Sequence, residues 1–421
     1  MKRHQTKKFR KSTLQNICAT GVSLCVAASL APAHAASVEE LTKENQDLKA
    51  RMDALEALAQ KEGLLPSGKP APKFVSTMSD ISLSGFVTAS YFYDTSSPDD
   101  NSSNAYLWNR NSGDFTLNKV KLVLASKPVE YSGEEWDAAF RVSLIWGEDA
   151  PIVNTGGELQ GFEDLREAYV ELNAPLGTGL NIRAGQLISL LNWESGDGGA
   201  ANPNFSQGNQ WFYTGNGPSA GVQLGYNLTE TINLKVRVQN GLYAGPTDNF
   251  DTKTIMASLG FKPNDQLWFN VIGFGGSEEF STPGTDDVDI FGGSVIGGYQ
   301  FSEKFGSGFE FDYFHLDPSI GETDEFWSAG VWLWYDFSPK TGVALRAEYL
   351  DDETGLGTSG LLGFPANDGA DIYGITATFN YKPVPNVKIQ PEIRYDATSE
   401  DDGFDGEDSR FIVGCGISYL F

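Results

Sequence analysis

From near Asp80 to Phe421 the apolar residues of this chain recur with a period of two. Between Trp136 and Trp146, the residues Trp136, Ala138, Phe140, Val142, Leu144 and Trp146 share one face of an extended chain, and Asp137, Ala139, Arg141, Ser143 and Ile145 share the other. Ten residues at about 3.3 Å each, tilted by about 40°, rise about 25 Å, which is the height of the apolar band on an outer-membrane barrel. The last segment repeats the interval with Phe411, Val413, Cys415, Ile417, Tyr419 and Phe421. A soluble sandwich has no reason to hold aromatic residues at that spacing. Trp136, Trp146, Phe411, Tyr419 and Phe421 are therefore expected in aromatic girdles at the two headgroup levels.

The same alternation places sixteen strands of similar length, starting near Ile81, Phe115, Trp136, Leu165, Leu180, Ala220, Ile232, Thr254, Leu267, Val288, Phe305, Phe326, Val343, Ile372, Val387 and Phe411. Connections after even-numbered strands are short turns, such as Asn227-Leu-Thr-Glu230 and Lys262-Pro-Asn-Asp265. Those after odd-numbered strands are mostly long, as in Thr95 to Asn111, Trp193 to Pro218 and Asp351 to Ala370. An even strand count with short turns at one end and long loops at the other is how outer-membrane barrels are built, and closure removes exposed sheet edges. The expected fold is all-β: a transmembrane antiparallel β-barrel of about 16 strands over 80–421, preceded by a short N-terminal coiled-coil helix. Both ends of the barrel then fall on the short-turn, periplasmic side.

Residues 1–35 read as a secretory signal peptide: Lys2, Arg3, Lys7, Lys8, Arg10 and Lys11, then a mostly apolar Ile17–Leu30, then Ala33-His34-Ala35 before a cut ahead of Ala36. The apolar stretch is too short for a membrane-spanning helix, which needs about 20 residues. In 36–62, Val38, Asn45, Met52 and Ala59 take a positions and Leu41, Leu48 and Leu55 take d positions of a heptad seam. Residues 63–79, rich in Pro and Gly, read as a linker.

Charge adds a second constraint. The chain carries −26, and loss of the six basic residues of the signal segment takes this to −32, which excludes a nucleic-acid binder that works by cancelling phosphates. The acids cluster in the long loops, at Asp99-Asp100, Asp286-Asp287 with Asp289, Asp351-Asp-Glu353, Glu400-Asp-Asp402 and Glu407-Asp408. With the apolar faces turned to lipid, the other faces carry Lys119, Lys121, Arg141, Glu167, Glu171, Arg183, Lys235, Arg237, Glu310, Asp312, Arg346, Glu348, Lys388, Glu392 and Arg394. A dry core could not hold so many charges, whereas the water-filled interior of a sixteen-strand barrel can. These are the candidate pore-wall residues. The longest loop, Trp193–Pro218, brings Glu194 and Asp197 as constriction candidates opposite Arg141, Arg183, Lys235 and Arg237. Acids at the mouth concentrate cations, so mild cation selectivity is expected.

Residues 80–421 resemble the OmpL-like family of outer-membrane β-barrel porins. The resemblance rests on Ile81-Ser-Leu-Ser-Gly-Phe-Val87, Leu165-Arg-Glu-Ala-Tyr-Val-Glu-Leu-Asn-Ala-Pro-Leu-Gly177, Arg183-Ala-Gly-Gln186, Asn202-Pro-Asn-Phe-Ser206 and the ending Ile417-Ser-Tyr-Leu-Phe421. It implies a passive channel in the outer membrane that passes small polar solutes or ions, has outer-membrane lipid as its surroundings and brings no catalytic residue. Porin analogy adds a homo-oligomer, a trimer. The competing class is a structural tether or adhesin, with the barrel as anchor and the coiled coil contacting the cell wall. No cofactor, metal or nucleic-acid partner is expected. His315, the sole histidine of the mature chain, falls on a lipid-facing parity and gives no base for an enzyme, while Cys415 reads as a small hydrophobe toward lipid.

Overall fold

A computed structural model describes residues 81–421 apart from 107, 151–164, 243, 246–250, 279–286, 320 and 359–368. The expected signal peptide, coiled-coil helix and linker lie outside the described residues. Sixteen strands follow one another: β1 Ile81–Asp94, β2 Phe115–Ser126, β3 Asp137–Trp146, β4 Leu165–Ala174, β5 Leu180–Leu187, β6 Ser219–Asn227, β7 Ile232–Gln239, β8 Thr254–Phe261, β9 Leu267–Glu278, β10 Val288–Gln300, β11 Phe305–Pro318, β12 Asp324–Ser338, β13 Thr341–Asp352, β14 Ala370–Tyr381, β15 Val387–Thr398 and β16 Ser409–Leu420. Each pairs with its sequence neighbours and β1 pairs antiparallel with β16, so the sheet closes into a barrel. Closure is completed by Phe421 and Gly85, which exchange backbone hydrogen bonds of 2.9 and 3.0 Å.

Alternation decides which way each strand faces. Trp136, Trp146, Phe411, Tyr419 and Phe421 are exposed on the outer surface, whereas Ser143, Ile145, Arg410, Ile412 and Ser418 on the opposite parity are buried. In water an outer surface this rich in Val, Leu, Ile and Phe would carry a large penalty, which a bilayer removes. His315 lies on the outer parity, stacked on Phe291 at 4.5 Å between ring centroids and 3.2 Å from Glu325.

The strands are not of one length. β3 to β8 have 8 to 10 residues, while β9 to β16 have 12 to 15. Eight residues tilted by about 40° rise only about 20 Å, so one wall of the barrel is low. The expectation of uniform height came from β3 and β16, whose bracketing aromatics stand ten residues apart; β4 to β8 lack such pairs. The connection after β11, 319–323, is an exception to the mostly long connections after odd-numbered strands. One further expectation changes. Within the acidic runs, Asp352 is buried and accepts the Thr358 N–H at 2.6 Å, so it closes a loop rather than facing the mouth.

Candidate functional site: a loop folded against the inner wall

The connection between β5 and β6, 188–218, turns into the barrel and packs on inward-facing side chains. It contains a short 3-10 turn, Gly198–Ala200, and one helical turn, α1, Asn209–Tyr213. With no regular partner along most of its length, its backbone groups need side-chain acceptors and donors, and the wall supplies them. Glu310 of β11 accepts the Trp193 N–H at 2.8 Å. Glu392 of β15 accepts Phe205 and Ser206 N–H at 2.7 and 3.1 Å, and Glu348 of β13 accepts Gln210 N–H at 3.1 Å. Asp312 receives Gln210 Nε2 at 2.8 Å and Thr214 Oγ1 at 2.7 Å.

Basic residues serve the loop's carbonyl oxygens. Arg394 donates to the Gln207 carbonyl at 2.5 Å and to Asn209 Oδ1 at 2.7 Å. Lys388 donates to the carbonyls of Gly199 and Asn202 at 2.9 and 2.5 Å. Arg346 links the two kinds of contact: it donates to the Ser206 carbonyl at 2.6 Å and pairs with Glu194 Oε1 at 2.8 Å, both side chains being fully buried. Glu194 also accepts the Gly208 N–H at 2.7 Å and the Trp332 indole N–H at 3.0 Å. Asp197 pairs with Lys121. Glycines make the seat possible, since a Cβ on Gly308 would stand 2.1 Å from the Trp193 ring, and on Gly416 1.9 Å from Phe205.

Eight of the fifteen wall candidates, namely Lys121, Glu310, Asp312, Arg346, Glu348, Lys388, Glu392 and Arg394, thus contact the middle of the loop, 193–214, rather than lining open water. A solvated wall was expected of them; instead their charges satisfy a buried loop. Glu194, expected to face the channel, is enclosed with Arg346 for the same reason. Lys119 is held elsewhere, 3.4 Å over the Trp108 ring and 3.6 Å from Asp149.

The remaining candidates lie on β3 to β7. Arg141 pairs with Glu167 at 2.7 Å and Arg183 with Glu171 at 2.9 Å, and the two guanidiniums stay about one-third exposed. Arg237 is fixed by Gln223 at 2.8 Å and by the Ile188 carbonyl at 2.7 Å, while Lys235 lies two residues before it on the same face. Beyond that contact of Arg237 at the start of the loop, its middle, 193–214, is pinned to β2 and β11 to β16, and Arg141, Arg183 and Lys235 stand on the other side.

Two apolar clusters hold the loop at its flanks. One joins Phe92, Tyr106, Phe205, Phe212, Tyr213, Phe404 and Ile412, and the other joins Leu191, Leu242, Met256, Ile272, Phe274, Phe314 and Phe326. In the first, the connection 95–114 is locked by Tyr106, whose hydroxyl donates to Asp396 while the guanidiniums of Arg394 and Arg410 lie 4.4 and 4.5 Å from its ring centroid. Burial pushes the Tyr106 phenol well above its usual range, so it remains a donor. Alternation alone did not reveal these partners, which are far apart in sequence. The one available signal was the set of glycines on inward parities, at Gly308, Gly330 and Gly416.

The family model described as "Putative beta-barrel porin-2, OmpL-like" matches residues 80–421. The chain belongs to that porin family. No curated protein sequence matches it. Among solved structures, OmpT of Vibrio cholerae superposes with TM-score 0.54 at 12% identity, covering 81% of this chain and 97% of that one. An anion-selective porin from Comamonas acidovorans gives 0.54 at 12%, covering 81% and 99%. The outer membrane channel DcaP of Acinetobacter baumannii gives 0.54 at 16%, covering 81% and 97%. At these identities the likeness is one of fold, and it extends over the whole barrel of this porin-family chain.

Proposed function

We propose that this protein is a passive outer-membrane porin whose channel runs between the β3–β7 wall and the infolded loop 188–218. The observation that carries this reading is the loop itself, pinned to one side of the barrel and leaving the paired arginines of the other side partly exposed. Small polar solutes and ions pass through the gap, and the charges across it orient them. An exported chain would lose residues 1–35 and keep 36–79 on the periplasmic side.

Two fields act on a passing ion. Exposed acids such as Asp99, Asp100, Asp401, Asp402, Glu407 and Asp408 give the mouth a negative field, while Lys235 and Arg237, without hydrogen-bonded carboxylate partners among the described residues, give the inner wall a positive one. The Debye length falls from about 10 Å at 0.1 M salt to about 3 Å at 1 M, which suppresses the mouth field first. Mild cation preference at low salt should therefore weaken as salt rises. Reversal potentials across planar bilayers at the two ionic strengths test this, and anion preference at 0.1 M contradicts it.

We further propose association into a homo-oligomer through the low wall, β3 to β8. Its outward Val170, Val222, Val238 and Ile255 are exposed, yet strands of this height do not fill the apolar band unaided. OmpT of Vibrio cholerae has been described in a trimer form, which supports a trimer here by analogy of fold.

A further inference from the structure

Barrel interiors of this kind are polar, because their inward faces meet water. This one departs from that rule along a strip of tryptophans. Trp268 of β9 pairs in register with Gly298, which pairs with Gly308, which pairs with Trp332; Gly306 pairs with Trp334. Registered residues share a face. Gly308 faces inward because a Cβ there would strike Trp193 of the infolded loop at 2.1 Å, so Trp268, Trp332 and Trp334 face inward as well. The glycines let indoles lie on the sheet: a Cβ on Gly298 would come within 2.9 Å of Trp268, and one on Gly306 within 2.3 Å of Trp334.

Three of these rings touch, and Trp268 stands in the same register beyond Gly298 and Gly308. Trp193 stacks on Trp332 at 4.7 Å and lies 5.8 Å from Trp334. Trp332 is enclosed beneath it, but Trp193 and Trp334 are only partly buried and Trp268 is 38% exposed. Large apolar faces left in water inside a groove mark a surface that a ligand covers.

The opposite wall supplies the complementary chemistry. β4 and β12 stand eight places apart in a ring of sixteen, so the two walls face each other across the barrel. Arg141, Arg183 and Trp334 each lie within four residues of the short-turn end of their strands. The Arg141–Glu167 and Arg183–Glu171 pairs alternate donors and acceptors along β3 to β5. A solute that fits both walls has one flat apolar face and a rim of hydroxyls. A pyranose ring has this form: its axial C–H groups carry slight positive charge and meet the negative face of an indole, and its hydroxyls both donate and accept.

We propose that the channel conducts saccharides, their ring faces sliding along Trp193, Trp334 and Trp268 while their hydroxyls exchange hydrogen bonds with the Arg–Glu pairs opposite. This inference rests on the porin reading and specifies its solute. It is tested with the full chain by maltotriose block of ion current in planar bilayers, and by intrinsic tryptophan fluorescence on titrating maltotriose in detergent. Concentration-dependent block is expected, with the half-blocking concentration raised about tenfold in Trp268→Ala and in Trp334→Ala and largely restored in Trp268→Phe. The fluorescence titration should show the same order of affinities. Salt-only conductance reports the porin reading separately. A channel that conducts salt but shows neither block nor a fluorescence change with maltotriose overturns the saccharide inference alone. Block that is unchanged in both alanine variants also overturns it, as does stronger block by benzoate than by maltotriose. For a barrel that conducts nothing, the fluorescence titration still decides whether the strip binds sugar.

Discussion

Arg346 grips the loop at several points, because its guanidinium reaches a carboxylate and two carbonyls of that loop. Arg346→Ala leaves Glu194 buried without its cation, and breaking a buried pair in this way costs about 3–5 kcal/mol. The barrel, held by its ladders, should still fold, but the loop should lose its single position. Single-channel recordings of Arg346→Ala should therefore show added substates and flicker, with Arg346→Lys intermediate because the ammonium keeps the charge and loses the planar fork. Traces indistinguishable from the parent protein would remove Arg346 from this role. That Arg346 faces inward was legible from alternation alone. Its partner was not, because 152 residues separate Arg346 from Glu194 and no local pattern links them.

Among elements, the loop 188–218 and the strands that seat it form a matched pair. Phe205 fits against β16 only because position 416 has no side chain, and Trp193 against β11 only because position 308 has none. Gly416→Val should drive Phe205 off the wall and shift the loop toward β3 to β7. Conductance should then fall while the barrel remains resistant to detergent unfolding, a combination that separates a displaced loop from a misfolded protein. Strand starts were legible to within about two residues, since each is set by its own alternation and flanking turn. The inward tryptophans were harder to read. In β12 both parities carry large apolar residues, Trp327, Val331 and Leu333 on one side and Phe326, Trp332 and Trp334 on the other, so alternation could not choose between lipid and lumen.

At the scale of the whole molecule, charge and shape act together. In the proposed channel, the acidic excess that first excluded nucleic acid is a field at the mouth, opposed by the basic residues of the inner wall. Ending the chain at Leu420 should reduce heat-resistant barrel in outer-membrane fractions, since Phe421 supplies the closing hydrogen bonds with Gly85. Removing residues 36–72 should leave conductance intact, and loss of envelope attachment in that variant would show the N-terminal segment to be a tether beside a working channel. In the proposed channel an infolded loop narrows an open barrel. Single-channel conductance of the full chain beside a variant lacking Asn202–Gly217 measures it most directly. The parent protein should conduct in discrete steps and the deletion variant should conduct in larger ones; equal step sizes, or no conduction by either protein, would contradict the account.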